Sequence, residues 1–177
     1  MTDMPARVPS ATATQPDNPH APPRQGTGKP VQPGRRERDM LGEVTLPAGA
    51  LWGVHTQRAC ENFPISGTPI GAFPELVDAL VTVKRAAARA NMDLGYLDTQ
   101  RAHAIDAACA RILGNPAYRA HFVVDAMQGG AGTSTNMNAN EVIANVALET
   151  LGEPAGTYAV IHPNDHVNMA QSTNDVY

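Results

Sequence analysis

The stretch Gly129-Gly-Ala-Gly-Thr-Ser-Thr-Asn-Met-Asn-Ala-Asn-Glu-Val142 decides the fold, because it joins a glycine-rich loop to a helix. Its glycines permit unusual backbone angles, and the hydroxyls and amides after them are neutral hydrogen-bond donors. Apolar spacing predicts a helix over residues 138–151, ended by Gly152 and Pro154. A helix N-terminus offers free N–H groups and the positive end of its dipole, so this loop suits an anion. Ordinary capping by Ser, Thr or Asn is the alternative.

A second polar stretch, His162-Pro-Asn-Asp-His-Val-Asn-Met-Ala-Gln-Ser-Thr-Asn-Asp-Val-Tyr177, repeats this chemistry near the end of the chain. It concentrates side-chain amides and small hydroxyls at residues 171–175. Helix capping does not readily explain two such clusters in one chain. The pair therefore predicts a site in which neutral donors surround a small carboxylate. Neither stretch offers a thiol pair or a nucleophile beside its base.

From about residue 38 to residue 177, the sequence resembles the aspartase/fumarase superfamily of lyases, and within it the aspartate ammonia-lyases. Besides both polar stretches, the resemblance includes Gly42-Glu43 and Leu51-Trp-Gly-Val-His-Thr-Gln-Arg-Ala-Cys-Glu-Asn-Phe-Pro-Ile-Ser66. Fumarases share the His-Pro-Asn-Asp and Gln-Ser-(Ser/Thr)-Asn-Asp segments. They typically carry Ser-Gly-Thr-Gln-Ser-Asn where this chain has Ala131-Gly-Thr-Ser-Thr-Asn136. This difference favours aspartate ammonia-lyase over class II fumarate hydratase.

The resemblance implies reversible anti elimination of ammonia from L-aspartate to give fumarate, without an organic cofactor. Removing the proton beside a carboxylate makes a doubly charged aci-carboxylate, which preorganised donors must stabilise. Losing one such donor costs about 3–4 kcal/mol in well-studied oxyanion sites. Several hydroxyl and amide donors together would then account for much of the catalysis.

The substrate-binding residues of the family match positions in both polar stretches. By resemblance, Thr133 binds a substrate carboxylate, and Gly132 beside it permits close backbone approach. The second substrate-binding set is Ser172, Thr173 and Asn174. The resemblance thus implies that donors from two distant parts of the chain serve one small-molecule substrate.

The His162-Pro-Asn-Asp segment has a separate counterpart in the family. His162, Asn164 and Asp165 correspond to a secondary dicarboxylate site near the entrance of fumarases. His162 and His166 also have the i,i+4 spacing of a helical metal-binding pair, but Pro163 interrupts the turn and no third ligand is evident. Because zinc sites need three or four protein ligands, the sequence predicts no metal site.

The resemblance implies a mainly α protein with the L-aspartase-like fold. We expect a disordered, proline-rich tail at residues 1–38, a lyase N-terminal domain at residues 39–170, and the start of the central helical bundle at residues 171–177. The catalytic base of the family is a serine on a downstream flexible loop, which these 177 residues do not contain. We therefore expect an N-terminal fragment, truncated where the bundle begins, with no catalytic residue and no activity alone. Full-length relatives build each active site from three subunits of a homotetramer.

Composition argues against several other classes of protein. Eight of the 15 prolines lie in the first 40 residues without apolar periodicity, which predicts disorder rather than a signal or transit peptide. The formal net charge of −4 argues against a nucleic-acid partner. No run approaches the ~20 apolar residues of a membrane span. Two cysteines are too few for a disulfide framework, so we expect a cytoplasmic protein.

Apolar spacing predicts two helices between the tail and the motifs, at residues 75–94 and from an Asp98 N-cap to residue 114. The expected buried face of the first helix is Leu76, Leu80, Val83, Ala87, Ala90 and Leu94. Lys84, Arg85 and Arg89 would form its solvated face, since charged residues are rarely buried unless paired. Short strands are expected at residues 44–46 and 51–54, around a turn.

The segment at residues 53–58 admits two interpretations. Thr56 and Arg58 could reach the substrate or an entrance site, or the arm could pack the domain against a neighbour. The second is favoured, because polar loop residues mostly serve local backbone hydrogen bonds.

Three functions remain open from the sequence. The chain could come from an aspartate ammonia-lyase or from a fumarate hydratase, or it could be a non-catalytic binding or interaction module. The sequence of residues 132–136 disfavours the fumarate hydratase.

Overall fold

The computed structural model describes residues 34–128 and 131–174. Two antiparallel strands, β1 (Arg35–Asp39) and β2 (Gly42–Leu46), precede the helices. The α-helices are α1 (Val54–Asn62), α2 (Pro74–Asp93), α3 (Thr99–Gly114) and α4 (Thr133–Thr150). Short helical turns lie at Ile70–Ala72, Pro116–His121 and Pro163–Val167. The chain is mainly α, as expected. In the described ranges, none of the helices has both the length and the apolar character needed to cross a bilayer.

The β-hairpin begins inside the segment that we assigned to the tail. The Arg35 guanidinium donates to the carbonyl oxygen of Ala50 at 2.7 Å. Glu37 is buried, and its carboxylate accepts from the backbone N–H of Val54 at 2.9 Å. These contacts fix a charged segment that hydropathy alone would leave in solvent, so the predicted tail is wrong for residues 35–38. The rest of the predicted tail lies outside the described residues.

One of the two predicted strands forms. Residues 44–46 belong to β2, which pairs with β1, whereas residues 51–54 lead into α1. The backbone N–H groups of Gly53, His55 and Thr56 donate to the carboxylate of Glu141 at 2.8, 3.0 and 3.1 Å. A carboxylate that accepts N–H groups at a helix N-terminus stabilises the helix. Because Glu141 of α4 supplies this carboxylate, α1 forms, and the strand predicted at residues 51–54 is wrong.

The α2 helix matches the predicted range closely but buries a different face. Leu80 is buried as expected, whereas Val83 and Leu94 are exposed. The residues buried along α2 are Val77, Leu80, Val81, Lys84, Ala88 and Asn91. Two of these six are polar, so a pattern drawn from apolar residues alone selects the wrong side of the helix. The predicted face is corrected accordingly.

The α3 helix begins as predicted. The Asp98 carboxylate accepts from the backbone N–H of Arg101 at 3.0 Å, which caps the helix. Ile105 and Cys109 are fully buried on the side of α3 that packs against α2 and α4. The core of the chain therefore lies among these three helices.

The central element is α4, in which every residue from 135 to 148 is buried. It begins at Thr133, ahead of the predicted start at residue 138. Polar side chains in its buried part bind surrounding loops: the Asn138 Oδ1 accepts from the backbone N–H of Val123 at 2.8 Å. Because its first turns are both polar and buried, apolar periodicity does not reveal where α4 starts.

Candidate functional site

The glycine-rich loop of the first polar stretch ends in a left-handed glycine at the start of α4. Gly132 has a φ of 77°, a conformation that glycine adopts without strain. It places no side-chain cap on the helix, and Thr133, the first helical residue, is exposed. The predicted passage from a glycine loop into a helix N-terminus is therefore present. Gly129 and Gly130 lie outside the described residues.

The two polar stretches meet at this helix start. The Thr133 hydroxyl donates to the Oδ1 atom of Asn174 at 2.8 Å, across 41 positions of sequence. The Thr173 hydroxyl lies 3.4 Å from the same oxygen, and the Asn174 backbone N–H donates to the Ser172 hydroxyl at 3.2 Å. The structure thus brings all four predicted substrate-binding residues together. Three of them are exposed and Thr173 is half-buried, so a ligand could reach them.

Lys84, which we predicted on the solvated face of α2, lies buried beside the second polar stretch. Its side chain is 0% exposed, and its Nζ atom donates to the Asn168 Oδ1 at 2.7 Å and to the Gln171 Oε1 at 2.9 Å. The prediction of a solvated residue is wrong, because amide oxygens of the second polar stretch take the place of a charged partner. Burial lowers the pKa of the Lys84 ammonium to about 8.

The two arginines grouped with Lys84 do lie toward the surface. The Nε atoms of Arg85 and Arg89 are 2.8 and 2.6 Å from the Asp106 carboxylate of α3. These hydrogen bonds lower the pKa of Asp106 to about 2. The expected surface face of α2 is therefore present at Arg85 and Arg89 but does not include Lys84.

A cavity of about 400 Å³ lies beside the second polar stretch. His162 and Asn164 line it together with Arg38 and His55. The backbone N–H groups of Asn164 and Asp165 both donate to the Nδ1 atom of His162 at 3.2 Å, which fixes the ring. The three residues of the predicted secondary dicarboxylate site are thus close together. Two of them face a cavity whose lining also includes two arginines and three acidic residues: Arg36, Arg38, Glu37, Asp39 and Glu141.

The two histidines considered as a zinc pair bind each other in a different way. The backbone N–H of His162 donates to the Nδ1 atom of His166 at 2.8 Å, so this nitrogen serves the local turn. Within residues 34–128 and 131–174, no group of three or more His, Cys, Asp or Glu side chains could hold a metal ion.

The arm at residues 53–58 is engaged in contacts within the chain. Arg58 donates to both carboxylate oxygens of Asp39 at 2.7 Å and holds the pKa of that carboxyl at about 2. Thr56 is fully buried, with its backbone N–H bonded to Glu141. These contacts favour a local structural role over direct contact with substrate.

Comparison with known sequences gives one family. Residues 42–177 match the family model described as Lyase. Aspartate ammonia-lyase from Pseudomonas aeruginosa is 55% identical over 148 residues, which cover 84% of this chain and 31% of that protein. Fumarate hydratase class II from Halobacterium salinarum is 56% identical over 142 residues, which cover 80% of this chain and 29% of that protein.

A solved structure of similar fold agrees with these matches. The fumarate lyase:delta crystallin from Brucella melitensis in native form superposes with a TM-score of 0.79 at 56% identity, covering 81% of this chain and 33% of that chain. The chain thus spans about a third of the length of the relatives that it matches. Sequence and fold agree, and the chain belongs to the lyase family of the aspartase/fumarase superfamily.

Proposed function

We propose that this chain supplies substrate-binding donors of an aspartate ammonia-lyase, which reversibly converts L-aspartate to fumarate and ammonia. The observation that supports this most strongly is the hydrogen bond between Thr133 and Asn174. It unites the two polar stretches at the N-terminus of α4, where the helix dipole also favours a carboxylate. Ser172 and Thr173 stand beside it, so hydroxyl and amide donors surround one exposed position.

These neutral donors suit the proposed chemistry. A base removes the C3 proton, and the electron pair moves into the neighbouring carboxylate to form the aci-carboxylate. The pair then returns to form the C=C bond while the C–N bond breaks and ammonia leaves with its electrons. Donors that are already oriented stabilise the intermediate without reorganisation. In this proposal Thr133, Ser172, Thr173 and Asn174 hold the carboxylates, and no organic cofactor takes part.

The remaining parts of the proposal come from the resemblance. The base is the serine of the loop that these 177 residues do not contain, and the complete enzyme is a cytoplasmic homotetramer. His162, Asn164 and Asp165 form a secondary dicarboxylate site, for which the adjoining cavity provides room and the guanidinium group of Arg38 provides a donor.

Fumarate hydratase is the second candidate function, and one observation favours it. The Halobacterium salinarum relative is 56% identical, close to the 55% of the Pseudomonas aeruginosa relative. Overall identity therefore does not separate the two activities. The sequence of residues 131–136 favours aspartate ammonia-lyase, because this chain has Ser134 and Thr135 where fumarases typically have Gln and Ser.

A chimeric enzyme, which we call the joined enzyme, tests this assignment. It carries this chain in place of the matching 31% of the Pseudomonas aeruginosa aspartate ammonia-lyase. We expect the triple variant Ala131→Ser, Ser134→Gln and Thr135→Ser to lower kcat/KM for aspartate about tenfold, equivalent to about 1.4 kcal/mol of transition-state stabilisation. The reason is that the donors beside Thr133 change while the helix remains. The measurement is fumarate absorbance with aspartate and with malate.

The control is Thr150→Ser at the opposite end of α4, which should leave both rates unchanged. An unaltered ratio of aspartate to malate activity in the triple variant would show that these residues do not set the substrate. This chain alone, assayed in parallel, should produce no fumarate above background.

A further inference from the structure

Asn168 of the second polar stretch is the central acceptor of a buried polar network. Its Oδ1 atom accepts from the Lys84 Nζ at 2.7 Å, from the Asn136 Nδ2 at 3.0 Å and from the Asn140 Nδ2 at 3.2 Å. Asn136, Asn140 and Lys84 are fully buried. This one oxygen links residues 168–174, which we call the substrate-binding loop, to α2 and to α4.

Residues 169–171 are held by further contacts. The Asn91 Nδ2, two turns after Lys84 on α2, donates to the carbonyl oxygen of Met169 at 3.0 Å. Ala170 has a φ of 58°, a left-handed conformation that alanine disfavours. The Asn168 Nδ2 donates to the carbonyl oxygen of Gln171 at 3.0 Å. This strained turn immediately precedes Ser172, so whatever holds the turn also sets the direction of the donors.

Lys84 is suited to holding the turn by hydrogen bonds rather than by charge. Among the ion pairs of residues 34–128 and 131–174, none includes Lys84. Its two partners are the neutral amide oxygens of Asn168 and Gln171. A neutral amine has two N–H groups, which match these two acceptors, so the contacts survive deprotonation.

We propose that Lys84 is a positioning residue for the substrate-binding loop: from α2 it fixes Asn168 and Gln171 and so sets Ser172, Thr173 and Asn174 against Thr133. This inference rests on the proposed function, because it assigns Lys84 a role in orienting those donors. Lys84 itself does not touch the substrate.

The first test uses this chain and does not depend on activity. We expect Lys84→Met, which keeps the length of the side chain but removes both hydrogen bonds, to release the loop. Amide exchange of Gln171 should accelerate about tenfold or more, and the heteronuclear NOE of residues 172–174 should fall. Exchange at Ile105 in α3 should stay unchanged. The matched control is Arg89→Met, which removes an exposed cation of the same helix together with its ion pair to Asp106.

The second test measures turnover in the joined enzyme. Lys84→Met should lower kcat for aspartate about tenfold and change KM by less than about twofold, because oriented donors contribute most in the transition state. A merely structural lysine would instead accelerate exchange throughout α3 and lower the amount of folded enzyme without changing kcat per folded site.

The outcomes separate this inference from the proposed function. Unchanged loop dynamics in folded Lys84→Met overturn the positioning role. A released loop with normal kcat, in an enzyme that Thr133→Ala impairs, also overturns it. If Thr133→Ala has no effect on turnover, the proposed function fails instead. Should Lys84→Met not fold, Gln171→Leu removes one acceptor of Lys84 together with the contacts of the Gln171 Nε2 with the carbonyl oxygens of Val167 and Met169, whereas Gln171→Glu removes only those contacts. Loop release and loss of kcat greater than those of Gln171→Glu support the role of Lys84, and equal values refute it.

Discussion

Replacing either Thr133 or Ser172 with alanine in the joined enzyme is expected to lower kcat/KM for aspartate by about 10²-fold or more. Each hydroxyl is a donor on one side of the proposed carboxylate site, and its hydrogen bond strengthens as negative charge develops. Both residues are exposed, so neither alanine leaves a buried cavity. The measurement is initial-rate kinetics of fumarate formation, with the thermal unfolding midpoint recorded for each variant.

The matched control is Thr82→Ala on α2. Its exposed hydroxyl donates to the carbonyl oxygen of Asp78 and lies in neither polar stretch. This variant should retain the parent kcat/KM. If Thr133→Ala and Ser172→Ala both kept near-normal turnover, the assignment of the two stretches to substrate would be wrong.

Removing the Glu141 carboxylate should produce the largest loss of stability. Glu141 is 1% exposed and accepts three backbone N–H groups at the start of α1. Glu141→Ala leaves the buried N–H groups of Gly53 and Thr56 without their acceptor and opens a cavity. At about 1–3 kcal/mol for each unsatisfied buried group, we expect a loss of about 3–5 kcal/mol in the free energy of unfolding of this chain. Denaturant titration followed by circular dichroism measures it.

Two variants calibrate that loss. Glu141→Gln keeps an oxygen for Gly53 and Thr56, since both donate to Oε2, and should cost about 1 kcal/mol by losing the contact with His55. Glu75→Ala removes an exposed carboxylate from the first turn of α2 and should cost less than about 1 kcal/mol. Equal stability of Glu141→Ala and Glu75→Ala would refute the anchoring role of Glu141.

The sequence predicted those parts of the fold that depend on local signals. The Asp98 cap fixes the start of α3, and the helical range of α2 follows from its composition and flanking residues. The buried face of α2 could not be predicted in the same way, because Lys84 and Asn91 lie on it. Their partners are 84 and 78 positions away, so only the tertiary structure shows why polar groups belong there.

The candidate site likewise combines residues that the sequence predicts with one that only the tertiary structure reveals. Residue type and resemblance selected Thr133 and Asn174, and the structure places them within hydrogen-bonding distance. Residue type alone did not indicate the buried position of Lys84, because a lysine close to two arginines on one helix is typical of a solvated face. One available signal was its spacing: it follows Leu80 by four residues and precedes Ala88 by four, and all three are buried. A cation in register with buried apolar residues indicates a buried donor.

The most direct test of the central claim is a crystal structure of the joined enzyme with bound fumarate. We expect one carboxylate to lie within about 3 Å of the Thr133 and Ser172 hydroxyl oxygens, in place of the hydrogen bond between Thr133 and Asn174. Fumarate found only in the cavity lined by His162 and Asn164, with the Thr133–Asn174 hydrogen bond intact, would contradict the claim that the two polar stretches form the substrate site.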